Sequence, residues 1–246
     1  MAWQETDLQS LSVRNDFRIR GESMTRTEVF SDAAFAFALT MLVVSVGSIP
    51  ETYQQLMLAL KSIPAFAMSF VQLGAFWLAH RVWSQRYGLD DTVSTLLTLL
   101  MIFVILVFVY PLRLIFSTFC AYVTQGWLPS EFVIQSMDEL AGLFFVYGAA
   151  YAILAGIIAC LYLQAFKNRV ELGMNEIEIL RTREAIIAWL VQVGFALASI
   201  LVALLVEGYW KNFAGFVYFG LAIVMPWLAI RREKKVVRLK ANDKQV

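Results

Sequence analysis

Six stretches of this 246-residue chain carry no charge and are long enough to cross the hydrocarbon of a bilayer. They are 33–50, 62–80, 92–112, 140–166, 185–206 and 212–230, with His80 taken as neutral. A spanning helix needs about 20 apolar residues, within about 17–25. The first stretch, 18 residues, is marginal without help from 28–32. In lipid every backbone N–H and C=O must be satisfied inside the protein, which leaves helices or a closed barrel. Barrel strands alternate apolar and polar residues, and none of these stretches does. The pattern therefore specifies an all-α integral membrane protein with spans at about 26–50, 62–84, 92–114, 140–166, 185–206 and 212–230. Composition agrees: 60% of residues are hydrophobic, 16% are charged, and mean hydropathy is +0.67. A soluble domain carries about a quarter charged residues, so a soluble enzyme, a secreted scaffold and a disordered tail are excluded.

Three regions follow: an N-terminal segment 1–23, a six-helix membrane domain 24–231 and a basic tail 232–246. The first 23 residues are polar with both signs of charge, unlike a secretory signal. The first helix is thus expected to serve as an uncleaved insertion signal. Lys and Arg set the orientation. With six spans, 17 of the 20 fall on the side of the termini, leaving Lys61, Arg113 and Lys211 opposite. The positive-inside rule places both termini in the cytoplasm, in a multi-pass protein of the cell (plasma or inner) membrane. Pro50 closes the first span, Pro64 sits in the first turn of the second, Pro111 ends the third and Pro226 bends the sixth. Residues 124–138 form the longest outer connection, with Trp127 either at the membrane interface or packed within the loop. Residues 167–184 form a charged, partly helical linker, and Asp138 opens the fourth helix. The basic run 231–246 reads as a stop-transfer anchor beside anionic lipid.

Enzyme chemistry has no foothold. A single histidine, His80, precludes a His-based metal cluster. No nucleophile elbow, P-loop or H-E-x-x-H occurs. Cys120 and Cys160 suggest neither a disulfide framework nor a metal site. No cofactor, resident metal or enzymatic activity is expected, and a net charge of +1 gives no sign of nucleic-acid binding. The potassium-filter sequence T-V-G-Y-G is absent, and no acidic residue lies deep in a span to form a charged filter.

The informative segment is 26–44. Asp32 is the acid nearest the apolar interior. Such a group is either paired or faces a wet cavity, or it is a helix-start charge favoured by the dipole. At about 100° per residue, Phe37, Met41 and Val44 fall within an arc of about 60°. Phe30, Ala33 and Ser48 extend the stripe, Thr40 lies on its shoulder and Asp32 points about 140° away. On the residues alone the stripe reads first as ordinary bundle packing or lipid contact, which almost every membrane helix shows, with an apolar seam as the alternative.

R-x-x-x-F-S-D, filled by Arg26, Phe30, Ser31 and Asp32, resembles the signature of the transmembrane protein 175 family of potassium channels. The block Phe76-Trp77-Leu78-Ala79-His80 is similar to the aromatic-Trp-x-x-His pattern of that family's second helix, and Pro111 is a weaker correspondence. F-S-D occurs once, as in the single-repeat prokaryotic form. The resemblance implies a homotetramer of six-helix subunits that conducts K+ ions through a central pore lined by the first helix. It also implies apolar rings at Phe37, Met41 and Val44, with a threonine ring at Thr40. Arg26, Phe30, Ser31, Asp32, Trp77 and His80 would form a structural network holding the pore helix. Partners are then K+, further copies of the chain and the lipid bilayer. Phenylalanine at 37 is larger than the family's usual residue. The usual third-helix asparagine is not evident, Thr98 being the nearest polar candidate, and the outer loop 113–138 is long. A proton- or cation-coupled secondary transporter using Asp32 and His80 is the competing reading. It calls for inverted repeats, and no second half resembles the first.

Overall fold

The computed structural model describes residues 3, 5–44, 49–130 and 132–243. Its elements run α1 (Glu5–Ser10), β1 (Val13–Arg14), β2 (Phe17–Arg18), α2 (Arg26–Val44), α3 (Tyr53–Lys61), α4 (Ile63–Tyr87), α5 (Thr92–Val123), α6 (Met137–Lys167) and α7 (Glu176–Leu205). A 3-10 turn (Gly208–Asn212), α8 (Phe213–Phe216) and α9 (Phe219–Asp243) complete it. Five helical stretches among the described residues are long and apolar enough to cross a membrane: Tyr53–Tyr87, Thr92–Val123, Met137–Lys167, Glu176–Leu205 and Gly208–Ala241. The first apolar run lies on α2, whose continuation falls outside the described residues, as does Ser48.

The centre of the bundle is α6, packed most extensively against α7 and α5, while α2 lies against α5 and α4. Tyr147 and Tyr151 of α6 stack at 6.0 Å, and Tyr218 meets both rings edge-on. Phe108 and Phe76 extend this aromatic core toward α5 and α4.

Helix ends differ from the sequence expectations where a charge was taken for a boundary. Pro111 does not end the third helix, which continues to Val123 with the proline inside it. A proline forfeits one backbone bond, but ending a helix in lipid forfeits several more, and 114–123 is again uncharged. Arg113 broke the apolar run without breaking the helix: it is 4% exposed and donates from a guanidinium nitrogen to the Leu42 carbonyl at 2.7 Å. The outer connection accordingly runs 124–136, close to the expected 124–138, and 113–123 of the longer 113–138 loop is helix. The fourth helix opens one residue before Asp138, capped by the Ser136 hydroxyl. The fifth begins at Glu176, where Asn175 and Glu178 form a reciprocal capping box, so the helical part of the 167–184 linker is 176–184, about half of it. The sixth run opens at the end of the 3-10 turn and is interrupted by a turn at 217–218 between α8 and α9; Pro226 lies within α9, and the basic tail is α-helical to Asp243.

The N-terminal segment is folded. Val13 pairs with Arg18 and Arg14 with Phe17, closed by Asn15 and Asp16 at φ of 51° and 60°. These residue types favour the two-residue hairpin turn that needs positive φ. The hairpin docks at the end of the bundle where α2 and α7 begin and α4 and α9 end. Phe17 is fully buried beside Tyr87. The Gly21 amide donates to the Gln85 carbonyl at 3.0 Å. A β-carbon on Gly21 would stand 2.6 Å from the Ser84 carbonyl oxygen, so only glycine permits this backbone crossing.

Candidate functional site: the first long helix and its polar ties

Helix α2 starts with a reciprocal cap. The Thr25 hydroxyl accepts from the Glu28 amide at 3.2 Å, and Glu28 accepts from the Thr25 amide at 2.8 Å. These bonds satisfy donors that the first turn otherwise orphans. The other Glu28 carboxylate oxygen accepts from the Ser84 hydroxyl, tying the start of α2 to the end of α4.

The helix has two unlike faces. Ser31, Phe35, Ala38 and Leu42 are each 2% exposed or less, and their spacing of four, three and four residues makes one stripe. Across the helix, Phe30 and Phe37 are 55% and 58% exposed, and Ala33 and Thr40 are exposed beside them. Met41, the next residue of the stripe, is half-buried at the edge of this face, against the core. Val44 ends the helix, and its side chain falls outside the described residues. The Thr40 hydroxyl donates to the Ala36 carbonyl at 2.9 Å, within its own helix.

Polar contacts join the buried face to α4 and α5. The Trp77 indole donates to Asp32 at 2.8 Å, and the Arg81 guanidinium lies over the Trp77 ring at 5.3 Å. His80 is 3% exposed, with Nδ1 3.4 Å from the Ser31 hydroxyl and Nε2 3.1 Å from the Thr98 hydroxyl. Ser31 donates its one proton to the Glu28 carbonyl at 3.1 Å. A neutral ring with its proton on Nδ1 then donates to Ser31 and accepts from Thr98, using every proton once. Ser31, Asp32, Trp77 and His80 are thus brought together. Arg26 and Phe30 are exposed and stand apart from these bonds. Arg26 is six residues before Asp32, about 240° around the helix.

Some contacts carried little sequence signal. Glu28–Ser84 spans 56 residues, and Arg113 sits in a helix that its own charge had appeared to terminate. At the docked hairpin, Glu178 is fully buried and accepts from Arg18 and Arg20 at 2.8 and 2.9 Å. Burial raises the pKa of this carboxyl, but the bonds from Arg18 and Arg20 outweigh it and hold it below the ordinary 4.5. Arg18 and Arg20 had registered only as charge on one side of a membrane. The pairing depends on the hairpin, which spacing did not reveal.

Residues 26–111 match the family described as endosomal/lysosomal potassium channel TMEM175. A relative from Marivirga tractuosa, described as a potassium channel, is 34% identical over 236 residues, covering 91% of this chain and 94% of its own. The crystal structure of a variant of the potassium channel MtTMEM175, in complex with a nanobody–MBP fusion, superposes with a TM-score of 0.79 at 29% identity. That match covers 91% of this chain and all of the other. A lysosomal potassium-selective channel TMEM175 homologue from Chamaesiphon minutus shares the fold at a TM-score of 0.54 and 20% identity, over 84% of this chain and 96% of its own. By its identity to the Marivirga relative over nearly the whole of both chains, and by the match through α2 to α5, this chain belongs to the TMEM175 family of potassium channels.

Proposed function

We propose that the chain is one subunit of a homotetrameric, potassium-permeable channel that conducts down the electrochemical gradient. Each subunit spans the cell membrane six times with both termini in the cytoplasm, and α2 lines the central pore. One observation carries this reading. The buried face of α2 is pinned through Ser31, Asp32, Trp77 and His80, while the opposite face, with Phe30 and Phe37, is apolar and exposed. Four copies around an axis would turn that face inward. Phe37 then forms the narrowest apolar ring, and Met41 and Val44 follow it along the helix. Large apolar rings close a pore by excluding water. Thr40 supplies hydroxyl oxygens beside that ring. Relatives named as potassium channels supply the ion.

Purified protein in potassium-loaded liposomes tests the reading. Efflux should follow the potassium gradient, collapse with the membrane potential and need no co-substrate. Flux that requires a proton or sodium gradient would instead make Asp32 and His80 the centre of a carrier.

A further inference from the structure

We infer that the cleft between α7 and α9, at the end of the bundle carrying the termini, binds the headgroup phosphate of an anionic phospholipid. The cleft is a cavity of about 270 Å³ walled by two kinds of side chain. Arg183 of α7 and Arg231 and Lys235 of α9 bring three cations, against one acid, Glu184. Leu180, Ile187 and Leu228 make the remaining walls apolar, Ile187 and Leu228 on the membrane side of the cations and Leu180 on the water side.

The level of the cleft matters as much as its charge. The uncharged run of α7 starts at 185 and that of α9 ends at 230, so the cations stand where both helices pass from apolar to polar sequence. Trp227, an interfacial residue type, lies one turn below Arg231, whose guanidinium stands 5.4 Å from the ring centre. Arg183 is exposed. Glu184 is bound to Lys235, which leaves the two arginines as the excess charge. Guanidinium groups bind phosphate oxygens through paired N–H donors. Basic pockets between membrane helices are the usual seats of anionic headgroups. A free phosphate would use the cations alone. The apolar walls directly below them fit the start of an acyl chain, and this favours the lipid as occupant. Assignment to the cytoplasmic leaflet rests on the orientation proposed above; the binding site itself does not.

Native mass spectrometry of the full chain in detergent, titrated with phosphatidylglycerol or phosphatidylcholine, tests the site. The unaltered protein should retain phosphatidylglycerol several-fold more strongly. Arg183→Gln with Arg231→Gln should abolish that preference. Arg14→Gln with Arg238→Gln, which removes the same charge at the same end outside the cleft, should leave it. Leu228→Trp should also abolish it by filling the floor while keeping every charge. Should that variant fail to elute as a single species, the arginine pairs decide. Equal loss in both arginine pairs, equal retention of the two lipids, or displacement by glycerol phosphate as effective as by intact lipid would each overturn the inference. Lipid preference without potassium flux would leave this site standing and remove the channel reading; flux without lipid preference would do the reverse.

Discussion

The hydroxyl proton of Thr40 is committed to the Ala36 carbonyl, which leaves the oxygen's lone pairs available on the exposed side of α2. A hydroxyl in that state is a ligand for a partly dehydrated cation, not a donor. Thr40→Val keeps the shape and removes the oxygen, so the potassium-over-sodium permeability ratio should fall. An unchanged ratio, from reversal potentials under bi-ionic conditions, would remove Thr40 from selectivity. Trp77 has a separate task. Its indole bond to Asp32 is a bond to a carboxylate, a class worth about 1.5–3 kcal/mol. Trp77→Phe should therefore lower the melting temperature of the detergent-solubilised protein. At this scale the sequence was informative for side chains that the family resemblance grouped: Ser31 meets His80, and Asp32 meets Trp77. Thr98, the nearest polar candidate for the family's third-helix asparagine, is a direct partner of His80. Arg26 belongs to the same motif but faces away, since six residues turn a helix by about 240°.

Among the elements, α2 is held by contrast between its faces. Asp32 and Ser31 fasten it to α4, Arg113 of α5 holds the Leu42 carbonyl near its far end, and its apolar opposite face is left uncovered within one chain. Asp32→Ala removes one of these ties and leaves the Trp77 N–H without its acceptor. The variant should give less assembled protein on size-exclusion chromatography and less current per protein. Normal assembly and current would show that the tie is dispensable. For the last five apolar runs, helix existence was legible in the sequence, because lipid makes length the deciding variable. Helix ends were not. A charge ends an apolar run, but a buried and paired charge, such as Arg113 or Glu178, leaves the backbone bonding intact. α5 and α7 therefore outrun their expected limits at the charged side.

Across the whole molecule, the hairpin ahead of α2 is clamped to α7 and α9. Glu178 holds Arg18 and Arg20, and Asp16 holds Arg181 and Lys240. Arg20 and Glu178 have fully buried side chains, so removing one strands the other in a dry site, at a cost of about 3–5 kcal/mol. Glu178→Ala should expose 13–20 to rapid hydrogen exchange. The pH dependence has a definite sign. The folded carboxyl titrates below its ordinary 4.5, so its contribution is complete above that value and fades as pH falls below it. Protection factors in the hairpin, which discount the intrinsic slowing of amide exchange in acid, should be high at neutral pH and fall only beneath about 4.5. Fast exchange already at pH 7 would mean the clamp does not hold. None of this was visible in composition, since contacts between 16–20 and 178–240 arise only once the bundle brings its ends together.

The proposed pore rests most heavily on Phe37, exposed on a helix whose other face is fixed. Truncating a side chain in a packed site leaves a cavity that costs about 3–5 kcal/mol, and such damage would appear as lost expression or lost tetramer. Truncating a pore constriction has the opposite signature. Single-channel conductance of Phe37→Ala beside the unaltered protein in planar bilayers separates the two. The variant should form stable tetramers with higher conductance or a persistent leak, and Phe37→Asn should do the same by wetting the ring. Stable tetramers of Phe37→Ala with unchanged conductance would contradict the assignment of this face of α2 to the pore constriction.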